Sequence, residues 1–339
     1  MAASHPSQLL QDASWICHRY DAEQDCFHFR RVPRERHAGL AFLIDAELGT
    51  EPQPLVIRRA DLPPSGPAPH FIFHSAFCGS TMLVRALDLA GSAMGLSEPV
   101  VLNDLAGWRR RGARAEQHAP VMAAALGLLG RPWGAGERVV VKPSNVFNGL
   151  AGGALALARD SKAIFLHAPL RVFLGSIARK GLDGRLWVRE LLEGLLADGM
   201  VDLGFEARDY LRMTDLQAAA VGWLAQYAWF ARLQQRIGSG RLAFLDSETL
   251  TGRPAESVAA VAAFLGLSAS EPAFYRTHPA IGRNSKDGSA FTAADRVRLH
   301  AEGLAAHQDE ITKVAAWAEA VAANAGVALG GGTSLAVQG

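Results

Sequence analysis

The chain has 339 residues, 49% of them hydrophobic and 20% charged, with a formal net charge of +1. That composition is globular and long enough for a sizeable core, which excludes a disordered chain; the neutral balance excludes wholesale binding to nucleic acid or an acidic membrane. Its three cysteines make no disulfide framework and suit a reducing cytosol, and neither a secretory signal in Met1–Ser14 nor a bilayer-spanning run is found, so a cytoplasmic location is expected.

Residues 1–69 read as an N-terminal arm or small appendage. Asp25–Arg31 and Gly39–Ile44 could each be a strand. Pro52, Pro54, Pro63, Pro64, Pro67 and Pro69 mark 51–69 as a linker or extended arm. Arg30, Arg31, Arg34 and Arg36 form a basic cluster, read either as solvated surface or as a hold on an anion. Cys17-His18 and Cys26-Phe27-His28 suggest zinc, but their spacing matches no zinc-ligand pattern, and no metal is expected.

The stretch from His70 organises the rest. Phe71–Phe73 suits a buried parallel strand. A small-residue turn follows, then an amphipathic helix with Met82, Leu83, Ala86, Leu87 and Ala90 on one side, ending at Gly91. A strand, a small loop and a helix N-terminus together can hold a phosphate or sulfate, because the first turn has unpaired N–H groups and a favourable dipole. Gly79 permits close backbone approach, and Ser80 and Thr81 add hydroxyl donors. Against the pattern G-x-x-x-x-G-K-[ST], His74 falls at the first Gly, Gly79 at the second and Ser80 at the Lys, which counts against ordinary nucleotide hydrolysis.

Cys78-Gly79-Ser80-Thr81-Met82-Leu83 resembles the 5′-phosphosulfate loop of P-loop sulfotransferases, whose members read P-K-S-G-T-T-W or P-R-S-G-S-T-L after the first strand. The resemblance implies 3′-phosphoadenosine-5′-phosphosulfate as co-substrate, with Ser75, Cys78, Gly79, Ser80, Thr81 and Met82 as its binding candidates here. The family's Lys or Arg two residues before the Gly is Phe77 in this chain, so another cation must steady the departing phosphate.

Ala93–Leu96 reads as a second strand ending at Ser97-Glu98-Pro99. Residues just past strand C-termini line the ligand crevice of an open α/β sheet. A carboxylate there can take a proton from an acceptor hydroxyl, and the resemblance also implies a base at this place. Glu98 is therefore either the base or a carboxylate favouring the helix that begins near Pro99. Trp108–Arg111 and Arg114 follow on a helix, read as a solvated face or an anion patch. Ala119–Leu129 is a further helix. Arg138–Lys142 is the third strand, buried on both faces by its valines, and Lys142 at its exit is the candidate for the missing cation.

Ala163–His167 is the fourth strand. The segment Ala168–Ser176 resembles the family's 3′-phosphate motif, R-D-P-x-x-x-x-x-S. Aligning on Ser176 puts Ala168 at the Arg; aligning on Pro169 puts His167 there and Gly175 at the Ser. Arg171 or His167 is left to reach the phosphate beside Ser176. Arg185–Ala197 is an amphipathic helix. Thr214-Asp215-Leu216-Gln217 is a capping box opening a helix to about Ile237. Its stripe of Leu216, Trp223, Tyr227 and Phe230 reads as core. Arg241–Leu245 is the fifth strand, and Pro254–Leu265 is a proline-started helix resembling the family's closing segment. Arg283-Asn284-Ser285-Lys286-Asp287-Gly288 resembles the late R-K-G-x-x-G segment, which makes Arg283 and Lys286 donor-binding candidates; it reads equally as surface loop. Thr292–Ala323 should be helical and 326–339 a disordered tail.

The expected fold class is α/β, a P-loop NTPase-like three-layer sandwich with a central parallel sheet of about five strands, over a domain spanning 70–325. The expected function is sulfuryl transfer to a hydroxyl or amine of a small-molecule or peptide acceptor. The alternatives are a kinase-like phosphotransferase, which needs Mg²⁺ and an acidic strand end, and a non-catalytic anion-binding module.

Overall fold

The computed structural model describes residues 10–64, 66–283, 295, 298, 301, 302 and 305–337. Three strands near the N-terminus form an antiparallel sheet in the order β1 (Trp15–Asp21), β2 (Cys26–Arg31), β3 (Leu55–Arg58). Five more form a parallel sheet: β4 (His70–His74), β5 (Ala93–Ser97), β6 (Arg138–Lys142), β7 (Ala163–His167) and β8 (Leu242–Asp246), in the order β5-β6-β4-β7-β8. Helices flank it, so the fold is the expected α/β sandwich.

Register decides what each face of the sheet carries. Gly95 pairs with Val140 and Ser97 with Lys142, while Val140 also pairs with His70. Alternation therefore puts Ser97, Lys142 and His74 on one face. The helix Ser80–Leu87 covers that face so closely that a Cβ on Gly95 would lie 2.4 Å from the Val84 carbonyl oxygen. Phe73 and Phe165 lie on the other face and pack on Phe230 of the helix Asp215–Ile237. The neighbours β4 and β7 lead their following connections to opposite sides, towards β5 and β8. Their exits thus form the point where a ligand crevice opens in such sheets.

Several local expectations are met because their signals are local. The Thr214 hydroxyl accepts from the Gln217 N–H (3.3 Å), the Gln217 side chain accepts from the Thr214 N–H (3.0 Å), and the helix ends at Ile237. The helix Pro254–Leu265 begins at its proline.

Other expectations are corrected. Gly39–Ile44 is not a strand; it runs beside β5, where the Leu43 N–H donates to the Ser97 carbonyl (2.8 Å). The proline-rich 51–69 contains β3, which is too short for its alternation to be legible. The helix after the loop stops at Leu87, because Leu89 turns back and pairs with Ala93. Three arginines of the cluster are structural, while Arg31 is exposed. Arg30 is buried and donates to the carbonyls of Leu48, Gly49, Thr50 and Glu51, Arg36 donates to Leu48, and Arg34 pairs with Glu137. In the tail, Thr333 and Leu335 hydrogen-bond to Phe244 of β8, an edge strand whose backbone groups need partners. Buried residues of the N-terminal sheet, among them Phe27 and Phe29, share one apolar core with the parallel sheet.

His70, at the start of β4, is buried, and its Nδ1 accepts from the Lys162 N–H (3.0 Å). Burial first, then the Arg138 and Lys162 charges, push its pKa from 6.5 down to about 4. The unfolded chain therefore binds a proton that the folded chain refuses, and stability falls as pH drops from 6.5 towards 4. The loss from this residue should reach about 3 kcal/mol. Denaturant unfolding across that window should show it, and H70Q should flatten the slope. An unchanged slope in H70Q would assign the acid lability elsewhere.

Candidate functional site

The turn after β4 is held in an uncommon backbone conformation. Ala76 (φ 73°), Phe77 (φ 51°) and Gly79 (φ 84°) are all left-handed. Glycine takes this region freely, but Ala and Phe are strained there, by roughly 1–3 kcal/mol each. His74 helps to hold them: its Nδ1 accepts from the Ala76 N–H (3.0 Å), and its Nε2–H donates to the Pro143 carbonyl (3.0 Å). Burial, followed by the Lys142 charge, drives the His74 pKa well down, so the ring is neutral. The Ser75 hydroxyl accepts from the Ala168 N–H (3.2 Å) and so ties the exits of β4 and β7 together. No side chain caps the helix Ser80–Leu87. Apart from the Ser80 N–H, which faces the Cys78 thiol, its first-turn N–H groups and the helix dipole are free of a side-chain cap.

Cys78 is buried, and burial pushes its thiol up to about 11 against the pull of Ser80 and Lys142. It serves as loop backbone and packing, not as a thiolate. Ser80 and Met82 are buried and Thr81 is half-buried.

Glu98 and Lys142 are brought together. The Lys142 Nζ donates to Glu98 Oε1, and the Glu98 N–H donates to the Lys142 carbonyl (2.7 Å). Glu98 is itself left-handed (φ 51°), which turns it back over the end of β6. Its side chain is 24% exposed, whereas that of Lys142 is 1% exposed. Burial lowers the Lys142 pKa despite the Glu98 carboxylate, and the ammonium lies 5.1 Å from the Phe42 ring centre. The helix Val100–Arg110 has Pro99 at its cap and no side-chain capping bond, so Glu98 is not its cap.

The other candidates disperse. The Ser176 hydroxyl donates to the Val172 carbonyl one turn back in its own helix (2.9 Å). Arg171 is exposed and reaches Thr312 of the helix Gln308–Asn324 (3.5 Å). His167 sits among Tyr227, Trp223 and Phe244, and burial lowers its pKa, so it offers no cation. Arg283 lines a cavity of about 270 Å³ with Phe42, Ser97 and His278. Lys286 lies outside the described residues. Asp246, ending β8, spends its carboxylate on the N–H groups of Glu248 and Thr249.

Lys180, with Arg179 a basic end to its helix in the sequence, also meets the loop. The Lys180 Nζ lies over the Phe77 ring, 5.4 Å from its centre, and Phe77 also packs against Phe173 and Trp187. The signal was available as a basic residue at the end of the helix Leu170–Arg179, but its fall onto the loop is a tertiary fact.

No family model matches the chain, and no curated protein matches it. Among solved structures, the sulfotransferase domain from the curacin biosynthetic pathway aligns with a TM-score of 0.41 and 15% identity, covering 68% of this chain and 82% of that one. Among the described residues, no helix is long and apolar enough to cross a membrane.

Proposed function

We propose that the chain is a sulfotransferase that uses 3′-phosphoadenosine-5′-phosphosulfate and passes its sulfuryl group to an acceptor hydroxyl or amine. The observation that carries the reading is the strained loop 75–79 feeding an uncapped helix N-terminus, with the Glu98–Lys142 pair at the neighbouring strand exits. The N–H groups of residues 78–82 and the Ser80 and Thr81 hydroxyls hold the phosphosulfate. Glu98 takes the acceptor proton as the acceptor oxygen or nitrogen attacks sulfur. The sulfur–oxygen bond to the nucleotide breaks in line, and Lys142 balances the charge left on the phosphate. Lys180, over Phe77, adds a second positive charge near the loop. Asp246 is committed as a cap, and β6 and β7 end in Lys142 and His167, which disfavours a Mg²⁺-dependent kinase.

A second reading is a module that binds an anion without turnover. It is favoured by Ser176 and Arg171, whose polar groups are engaged within their own helix and with Thr312.

Calorimetric titration with 3′-phosphoadenosine-5′-phosphate, against ATP with Mg²⁺, tests the proposal. The first ligand should bind, and S80A/T81A should weaken it by about 10–100-fold, the cost of losing hydrogen bonds to a charged group. Binding of ATP–Mg²⁺ alone would overturn the reading. Nucleotide binding with no transfer to any acceptor would favour the second.

A further inference from the structure

Outside the loop, the N-terminal sheet gathers three metal-ligating side chains of different chemistry. Asp21 and Cys26 face each other across the β1–β2 hairpin, and His28 lies two residues beyond Cys26. Side chains alternate along a strand and cross-strand partners share a face, so all three stand on one face. Their ligand atoms lie within 4.8 Å of one another. The Cys26 Sγ is 3.6 Å from the His28 Nε2. In a tetrahedral zinc site, with Zn–S about 2.3 Å and Zn–N about 2.05 Å, sulfur and nitrogen stand about 3.6 Å apart.

We infer that Asp21, Cys26 and His28 form a zinc site, with a water completing the tetrahedron. The surroundings suit a cation. The hairpin turn fixes the carboxylate, since Asp21 Oδ1 accepts from the N–H groups of Glu23 (2.8 Å) and Gln24 (3.1 Å). The second oxygen is left for the ion. The nearest arginines on this face are already neutralised: Arg19 by Asp45 and Asp104, Arg58 by Asp61. Asp25, next to Cys26, is held by Arg59 and the Tyr20 hydroxyl and does not compete. A cavity of about 690 Å³, lined by Asp21, Glu23 and His28 with Arg19 and Arg111 on its wall, opens beside two of the three ligands. A thiolate with an imidazole and a carboxylate selects Zn²⁺ over Ca²⁺ or Mg²⁺, which take oxygen ligands. On binding, the Cys26 S–H bond breaks, its proton leaves to solvent, and the thiolate sulfur bonds the metal. The bound ion would pin β1 to β2 beside their connecting turn.

The test uses the full chain, stripped with a chelator and titrated with Co²⁺ as an optical stand-in. One equivalent should raise a near-ultraviolet thiolate-to-cobalt charge-transfer band, displaced by Zn²⁺. C26S should abolish the band, and D21N and H28A should each weaken Co²⁺ binding about tenfold or more. Cys17 and Cys78 stand outside the cluster of Asp21, Cys26 and His28 and should not contribute. A missing band at saturating Co²⁺, or one that survives C26S, overturns the site. Should C26S fail to fold, H28A at a half-buried position decides alone: unchanged Co²⁺ affinity overturns it.

Discussion

Glu98→Gln is expected to lower the turnover of sulfuryl transfer by about 10²–10⁴-fold, the usual worth of a positioned general base. Gln keeps the shape of the side chain and can still accept from Lys142, but it cannot take the acceptor's proton. The geometry supports a catalytic reading over a capping one: Glu98 is left-handed, partly exposed, and not the cap of the helix that follows. Backbone strain of this kind persists where surrounding structure imposes it, here the Glu98 N–H bond to the Lys142 carbonyl. Removing the carboxylate also takes the counter-charge from a buried ammonium, so stability should fall by about 1.5–3 kcal/mol. The two effects separate by experiment. Release of 3′-phosphoadenosine-5′-phosphate with acceptor reports the chemistry, and a denaturation curve reports the fold. Full turnover in a folded E98Q protein would remove Glu98 as the base.

Lys142→Met should lower turnover by about 10²–10³-fold, the scale of losing one preorganised charge at the reacting centre. Its effect on stability has a different sign of argument from E98Q. Met fills the lysine slot, no charge then needs burying, and the remaining Glu98 is 24% exposed and can be hydrated. Removing one partner of a buried pair is costly when the other charge stays buried, but Glu98 reaches solvent and leaves none behind. Folding stability should therefore fall less than in E98Q while transfer collapses. The alkaline limb of stability gives a second readout. Because burial holds the Lys142 pKa below its usual 10.5, the unfolded chain binds a proton in that window that the folded chain has lost. Stability thus rises with pH there, and K142M should abolish that rise. Unchanged transfer in K142M would leave Lys142 as a structural counter-ion and move the cationic role to Lys180.

Part of the candidate site was legible before any coordinates. Gly79, Ser80 and Thr81 marked a candidate anion loop through residue type and position after a buried strand, and the strand, turn and helix are where that reading put them. Glu98 and Lys142 were each readable as strand exits, because a short apolar run followed by a polar residue marks the C-terminal edge of a sheet. Their contact was not readable. It depends on β5 and β6 being neighbours in a register that pairs Ser97 with Lys142. Lys180 over Phe77 was hidden for the same reason, as was Asp21 beside Cys26 and His28. Arg30 was misread in the other direction: a run of arginines looks like solvated surface until the turn 48–51 folds its carbonyls onto one of them.

The sequence by itself determined the elements: the alternation of strands with helices, the capping box at Thr214, the helix start at Pro254, the central β4 loop and the residue types that can meet an anion. Those are set by neighbours a few positions apart, through side-chain alternation, helical periodicity and backbone preference. The tertiary structure alone decided which residues act together. Strand order, register and the left-handed turns at Ala76, Phe77 and Glu98 join groups far apart in the chain, and each such contact is fixed by the packing of a whole core rather than by any local signal.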